Sequence, residues 1–110
     1  MAVINSLSAV QASTNTSTLV AGSILPAWQG LAVGITIVNT GADTITWILY
    51  GGNDSALADK VVIKASADIL TGVADSYSNS LAPFSFYGIY IQSKVNDVPG
   101  EATVRAVVKE

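Results

Sequence analysis

Two long runs of this sequence place an apolar side chain at every second position, and a period of two demands extended chain with one face turned inward. In the first, Leu31, Val33, Ile35 and Ile37 alternate with Ala32, Gly34 and Thr36; in the second, Ile45, Trp47 and Leu49 alternate with Thr44, Thr46 and Ile48. Both are rich in the β-branched and aromatic residues that suit a pleated surface. Between them, Asn39-Thr40-Gly41-Ala42-Asp43 offers residues that tolerate positive φ or bond their own backbone, so it reads as the loop of a β-hairpin.

A second pair of runs occupies the C-terminal third. Tyr87, Ile89, Ile91 and Val95 alternate with Phe84, Phe86, Tyr90 and Lys94, while Ala102, Val104, Ala106 and Val108 alternate with Thr103, Arg105 and Lys109. The linking Asn96-Asp97-Val98-Pro99-Gly100 has the Pro-Gly pair of a type II turn, and predicts a second antiparallel hairpin. Shorter strands are expected over 18–24, 60–64 and 69–71, and no stretch shows capped helical periodicity. The total of about seven or eight short strands at a spacing of roughly 8–12 residues predicts an all-β antiparallel sandwich, jelly-roll or immunoglobulin-like. Its length of 110 residues fits one domain. Residues 18–110 form the expected sandwich, and 1–17 are either an edge strand or an arm that orders on a neighbouring subunit, removable without unfolding the rest.

The surface is short of charge. Charged residues make up 12% of the chain and hydrophobic ones 50%, against roughly 25% charged in an average soluble domain. The outside must therefore be coated with small polar residues or buried against another subunit, which points to a homo-oligomer. The apolar residues Leu19, Val20, Ile24, Leu25 and Trp28 are the candidate interface. Net charge is −3, and the five cations Lys60, Lys64, Lys94, Arg105 and Lys109 are dispersed, which argues against nucleic acid as a partner. The uncharged first 42 residues lack a basic n-region, and Gly22, Ser23, Pro26, Gln29, Gly30 and Gly34 break up the stretch 18–38; neither a signal peptide nor a membrane span is expected.

The chain contains neither His nor Cys. The usual general base, the commonest transition-metal ligand and both standard nucleophile dyads are thus missing. The carboxylates Asp43, Asp54, Asp59, Asp68, Asp75, Asp97 and Glu101 sit mostly beside Gly, Asn, Ser or Pro, where turn formation explains them better than acid–base work. No catalytic residue, cofactor or metal site is expected. Asn53, Asp54 and Asp59 form the densest oxygen cluster, with a spacing that fits no EF-hand loop. Trp28, Tyr50 and Tyr77 are the aromatic side chains that a carbohydrate-binding module would use for stacking.

The run from Ile35 to Asp54, with Val38-Asn39-Thr40-Gly41 ending one strand and Tyr50-Gly51-Gly52-Asn53-Asp54 closing the next, resembles small β-sandwich virion proteins of tailed bacteriophages. Phe86-Tyr87-Gly88-Ile89-Tyr90-Ile91-Gln92-Ser93-Lys94 is similar to the penultimate strand of that group, and the likeness covers residues 31–109. The resemblance implies a capsid decoration or tail-associated subunit in the virion, bound to the major capsid protein or another virion protein. The alternatives left open are a cell-surface or carbohydrate-binding module and a self-assembling surface or filament subunit.

Overall fold

The computed structural model describes residues 3–27, 32–80, 82–94 and 100–109. Within them run nine strands: β1 (Val3–Ser13), β2 (Thr18–Leu19), β3 (Leu25–Pro26), β4 (Ala32–Asn39), β5 (Ile45–Gly52), β6 (Val61–Ala65), β7 (Ala74–Asn79), β8 (Phe86–Ser93) and β9 (Gly100–Lys109). They form two sheets, β1-β9-β4-β7 and β2-β8-β5-β6, with β3 also paired to β8. All pairings are antiparallel. The chain changes sheet at almost every connection, remaining in one sheet only from β2 to β3 and from β5 to β6. That alternation is the jelly-roll arrangement of the β-sandwich.

Neither expected hairpin exists. β4 pairs with β7 and β9, whereas β5 pairs with β6 and β8, so residues 40–44 form an arch from one sheet to the other. β8 and β9 likewise lie in different sheets; of the expected turn, Asn96–Gly100, all but Gly100, which begins β9, lies outside the described residues. Alternation reports which side chains face inward and is blind to which strand completes the ladder, so a hairpin and an arch give the same pattern.

What makes the first loop an arch is visible at Asn39. This fully buried side chain donates through Nδ2 to the Asp43 and Ile69 carbonyls, at 2.7 and 2.8 Å, and accepts the Gly41 N–H at 3.0 Å. Every polar atom of the amide is used, and the loop is tied to the segment before β7. Gly41 then passes so close to β9 that a Cβ there would collide with the Glu101 nitrogen and the Gly100 backbone. Only glycine permits that approach.

Two shorter elements also depart from the sequence pattern. Of the strand expected over 18–24 only Thr18–Leu19 forms, as β2; a 3-10 turn, Val20–Gly22, in which Ala21 (φ 57°) and Gly22 (φ 61°) are left-handed, ends it and β3 begins only at Leu25. β7, Ala-Asp-Ser-Tyr-Ser-Asn, is a strand that its polar composition hides. At the N-terminus, β1 is bonded to β9 from Val3 to Ser13 with one register shift between Val3 and Asn5. Those residues are an edge strand of the sandwich rather than a free arm.

The core lies between the sheets. β4 and β9 supply Val33, Ile35, Ile37, Ala102, Val104, Ala106 and Val108; β5 and β8 supply Ile45, Trp47, Leu49, Tyr87, Ile89 and Ile91. Polar latches close both open sides of the sandwich. On one, the Trp47 Nε1–H donates to Asp75 Oδ2 at 2.8 Å, and Lys64 Nζ on β6 meets Asp75 Oδ1 on β7 at 3.0 Å. On the other, Asn5 Nδ2 donates to the Pro26 carbonyl at 3.1 Å and Gln11 Oε1 accepts the Ala21 N–H at 2.9 Å. The buried Ser13 and Ser93 hydroxyls bond to each other at 2.7 Å.

Candidate functional site

The two sheets present outer faces of different character. Cross-strand register places Leu19, Tyr90, Ile48 and Ala65 in one row across β2, β8, β5 and β6 on the outer side of their sheet. The next row holds Gly88, Tyr50 and Val62. Tyr50 and Tyr90 meet edge to face at 5.3 Å with an 88° interplanar angle, the geometry favoured by the ring quadrupoles. Lys60 Nζ lies 5.4 Å from the Tyr50 centroid and Val62 is 57% exposed. This sheet face is apolar and aromatic on its solvent side.

A side chain from the loop before β6 finishes that face. Gly88 lacks the Cβ that would strike Leu57 Cδ1, and Leu57 fills the gap, 2% exposed yet outside the main core cluster. The loop is held in shape to deliver it. Asp59 accepts the Asn53 and Asp54 N–H groups, both at 3.0 Å, and Asp54 Oδ2 accepts those of Ala56 and Ala58 at 2.9 and 3.1 Å. Asn53 Oδ1 accepts the Ser85 N–H at 3.1 Å. Leu57 itself is left-handed, with φ 58°.

The oxygens of the Asn53, Asp54 and Asp59 cluster are thus engaged in folding the loop. The Asn53 and Asp54 amides hold the Asp59 carboxyl below its usual range. Among the described residues no group of three or more acidic side chains converges as a metal site would require.

The outer side of the other sheet has a different character. Its rows read Ser8-Arg105-Thr36-Ser76 and Ser6-Val107-Gly34-Ser78 across β1, β9, β4 and β7. A shallow open depression of about 580 Å³ lies over Gly34, bordered by Thr36, Ser78, Arg105, Val107 and Lys109. Hydroxyls and small side chains give this face a low relief. Val10, at 66% exposed, stands in the adjoining row beside Thr103, Val38 and Ala74.

No protein-family model matches this sequence, and no curated protein matches it either. Solved structures do. The chain is similar to a structure described as Bacillus endospore appendages that form a novel family of disulfide-linked pili, with 13% identity, a TM-score of 0.60, and coverage of 96% of this chain and 85% of that one. It is also similar to the crystal structure of PirA, with 15% identity, a TM-score of 0.55, and 92% of each chain covered. What is shared at this identity is the fold.

Of the candidate interface residues, Val20 and Leu25 are core, at 0% and 2% exposed. Leu19 and Ile24 are half-buried, and Trp28 lies outside the described residues. Leu19 shares the aromatic face; Ile24 lines a small groove between residues 21–26 and β1. Tyr50 is on the aromatic face, whereas Tyr77 packs against the core from β7. The exposed apolar residues that sequence reasoning passed over are Val3, Val10, Val61, Val62, Leu70 and Val73. For Val61 and Val62 the signal was the unbroken run Val61-Val62-Ile63, where a two-sided strand at a sheet edge must turn apolar groups to solvent.

Proposed function

We propose that this chain is a non-catalytic structural subunit that assembles with copies of itself into an extracellular surface structure. The observation that carries the reading is the pairing of an aromatic, apolar outer sheet face, made by Leu19, Ile48, Tyr50, Val62 and Tyr90, with charged residues at only 12% of the chain. A face of that kind on a small domain is stabilised by a partner surface. The fold similarity to a subunit of Bacillus endospore appendages supports the same reading. Those appendages are described as disulfide-linked; with no Cys, this chain would hold its assembly together by non-covalent contacts alone.

A virion decoration subunit is the second reading, favoured by the sequence resemblance over residues 31–109. It differs in requiring a foreign shell as the principal partner. Light scattering and electron microscopy of the purified chain over a concentration series distinguish the two. Self-assembly gives oligomers or polymers without any added component, and Val62→Glu, which puts a charge on the aromatic face at an exposed site, weakens them without lowering the melting temperature. A chain that stays monomeric up to millimolar concentration overturns the self-assembly reading.

A further inference from the structure

The four sheet edges of this sandwich are not protected alike. At β7 the central residue is closed off: the Ser76 N–H is bonded to Asp75 Oδ1 at 2.9 Å and its carbonyl to Lys64 Nζ at 2.7 Å. β6 has five residues, follows Lys60, contains Lys64, and carries a register irregularity against β5 at Leu49/Tyr50. β2 and β3 have two residues each and are split by the 3-10 turn. Lysines, bulges and short lengths are the devices by which proteins deter strand addition. β1 has none of them along its length: it is 11 residues long, without charge or proline, and its single irregularity is at the Val3 end.

The ladder shows which backbone groups β1 leaves free. The Glu101 carbonyl accepts the Thr40 and Gly41 N–H groups on the β4 side of β9, at 3.0 and 3.1 Å. In an antiparallel ladder the N–H and C=O of one residue point to the same side, and successive residues alternate. Ala102, Val104, Ala106 and Val108 therefore bond to their register partners Gln11, Ala9, Leu7 and Asn5. The N–H and C=O groups of Ser6, Ser8, Val10 and Ala12 consequently point away from the sheet.

Two of those groups are already satisfied. The Ser6 N–H donates to Asn5 Oδ1 at 2.9 Å, and the Ala12 carbonyl accepts from Gln11 Nε2 at 3.0 Å. The free set is the Ser6 carbonyl, both groups of Ser8, both groups of Val10 and the Ala12 N–H. This set is self-complementary about Ala9. If a second copy is laid antiparallel with Ala9 opposite Ala9, each Ser8 faces Val10 of the other copy and each Ser6 faces Ala12. The free Ser6 carbonyl then meets the free Ala12 N–H, and the two capped groups fall opposite each other.

We propose that β1 pairs with β1 of a second copy of this chain, antiparallel and about a two-fold axis at Ala9, joining the two β1-β9-β4-β7 sheets into one continuous sheet. The contact is isologous. With no charge on β1 there is no like-charge repulsion across the axis. Val10, 66% exposed in the isolated chain, packs beside Ser8 of the second copy. The proposal deepens the self-assembly reading and rests on it only in that the chain must associate at all.

Because the chain has no Cys, an introduced one reports the register directly. Ala9→Cys brings two thiols opposite each other at a non-hydrogen-bonded pair, where Cα atoms stand about 4.5 Å apart and a disulfide is possible. Ser6→Cys keeps its thiols far apart, since Ser6 faces Ala12. Val10→Lys places a charge on the solvent face of the free edge and disturbs no bond within the chain. Under mild oxidation Ala9→Cys becomes a covalent dimer and Ser6→Cys does not. Sedimentation shows Val10→Lys weakening association about tenfold or more, with circular dichroism and melting unchanged. Equal cross-linking of the two Cys variants, or a Val10→Lys protein that associates like the parent, overturns the β1 pairing while leaving self-assembly standing. A parent chain that is monomeric at every concentration overturns both.

Discussion

Asn39 and Tyr87 are polar side chains buried to the same degree, and they have opposite consequences. Asn39 satisfies three partners with one amide, 2.7–3.0 Å away, so Asn39→Leu removes three buried hydrogen bonds, although the Ile69 carbonyl keeps the Ile45 N–H and the Gly41 N–H keeps the Glu101 carbonyl. A loss of about 3 kcal/mol in urea unfolding is expected, at about 1 kcal/mol per bond. The Tyr87 hydroxyl is buried with no hydrogen bond of normal geometry, and burial pushes its phenol above the usual range against a weaker opposing pull from the Phe84 backbone. Tyr87→Phe removes that desolvated group and should leave stability unchanged or raise it by about 1 kcal/mol in the same assay. Asp75 is a third case. Burial pushes its carboxyl up, but the Trp47 indole, the Lys64 ammonium and the Ser76 amide together outweigh that and hold it below the usual range. A lowered folded value means stability that is present above the unfolded value of about 4 and is lost as pH falls through the folded one. The gap between parent and Asp75→Asn, read from urea midpoints, should thus be widest near neutral pH and close below pH 4; a gap independent of pH would show that the charge is not its source.

Among the elements, β1 bears on how the chain is held together. Its inward residues Leu7 and Ala9 pack on the core, Asn5 and Gln11 tie it to the segment 21–26, and Ser13 bonds Ser93 under β9. Deleting residues 1–16 takes away that strand and bares one side of β9 together with the core beneath it. The truncated chain is expected to lose its cooperative melting transition rather than persist as a folded sandwich. The loop before β6 works by a different principle. Its Asp54 and Asp59 carboxylates cap backbone amides so that Leu57 can enter the gap left by Gly88. Leu57→Ala empties a buried site and should cost about 2–3 kcal/mol, measured by thermal or urea unfolding.

At the scale of the molecule, surface composition and fold meet in the two outer sheet faces. One is aromatic and apolar around Tyr50 and Tyr90; the other is low and hydroxyl-rich around Thr36, Ser76 and Ser78. Assembly through such surfaces draws little on long-range charge. Its association constant should change by less than about twofold as salt rises, apart from the strengthening that sulfate brings through surface exclusion. Sedimentation in chloride and in sulfate checks this. Steep weakening in chloride would mean that Arg105, Lys109 and the acidic turns carry the contact.

The alternation of residues 31–49 and 84–108, set beside Gly, Asn and Asp turns, made the strands and their buried faces legible in one dimension, because facing is a property of neighbouring positions. Trp47, Tyr87 and Ile91 fall inside as the period requires. The absence of His and Cys and the shortage of charge are equally one-dimensional, and they point to surfaces rather than to side-chain chemistry. Pairing is a different matter. Whether β4 meets β5 or β7 depends on loop paths and on Asn39 reaching a carbonyl thirty positions away, which no local pattern encodes. The same holds for the surface: Leu25 and Val10 are both apolar residues of the uncharged N-terminal stretch, and only the closure of two sheets on each other buries one and leaves the other at a free edge.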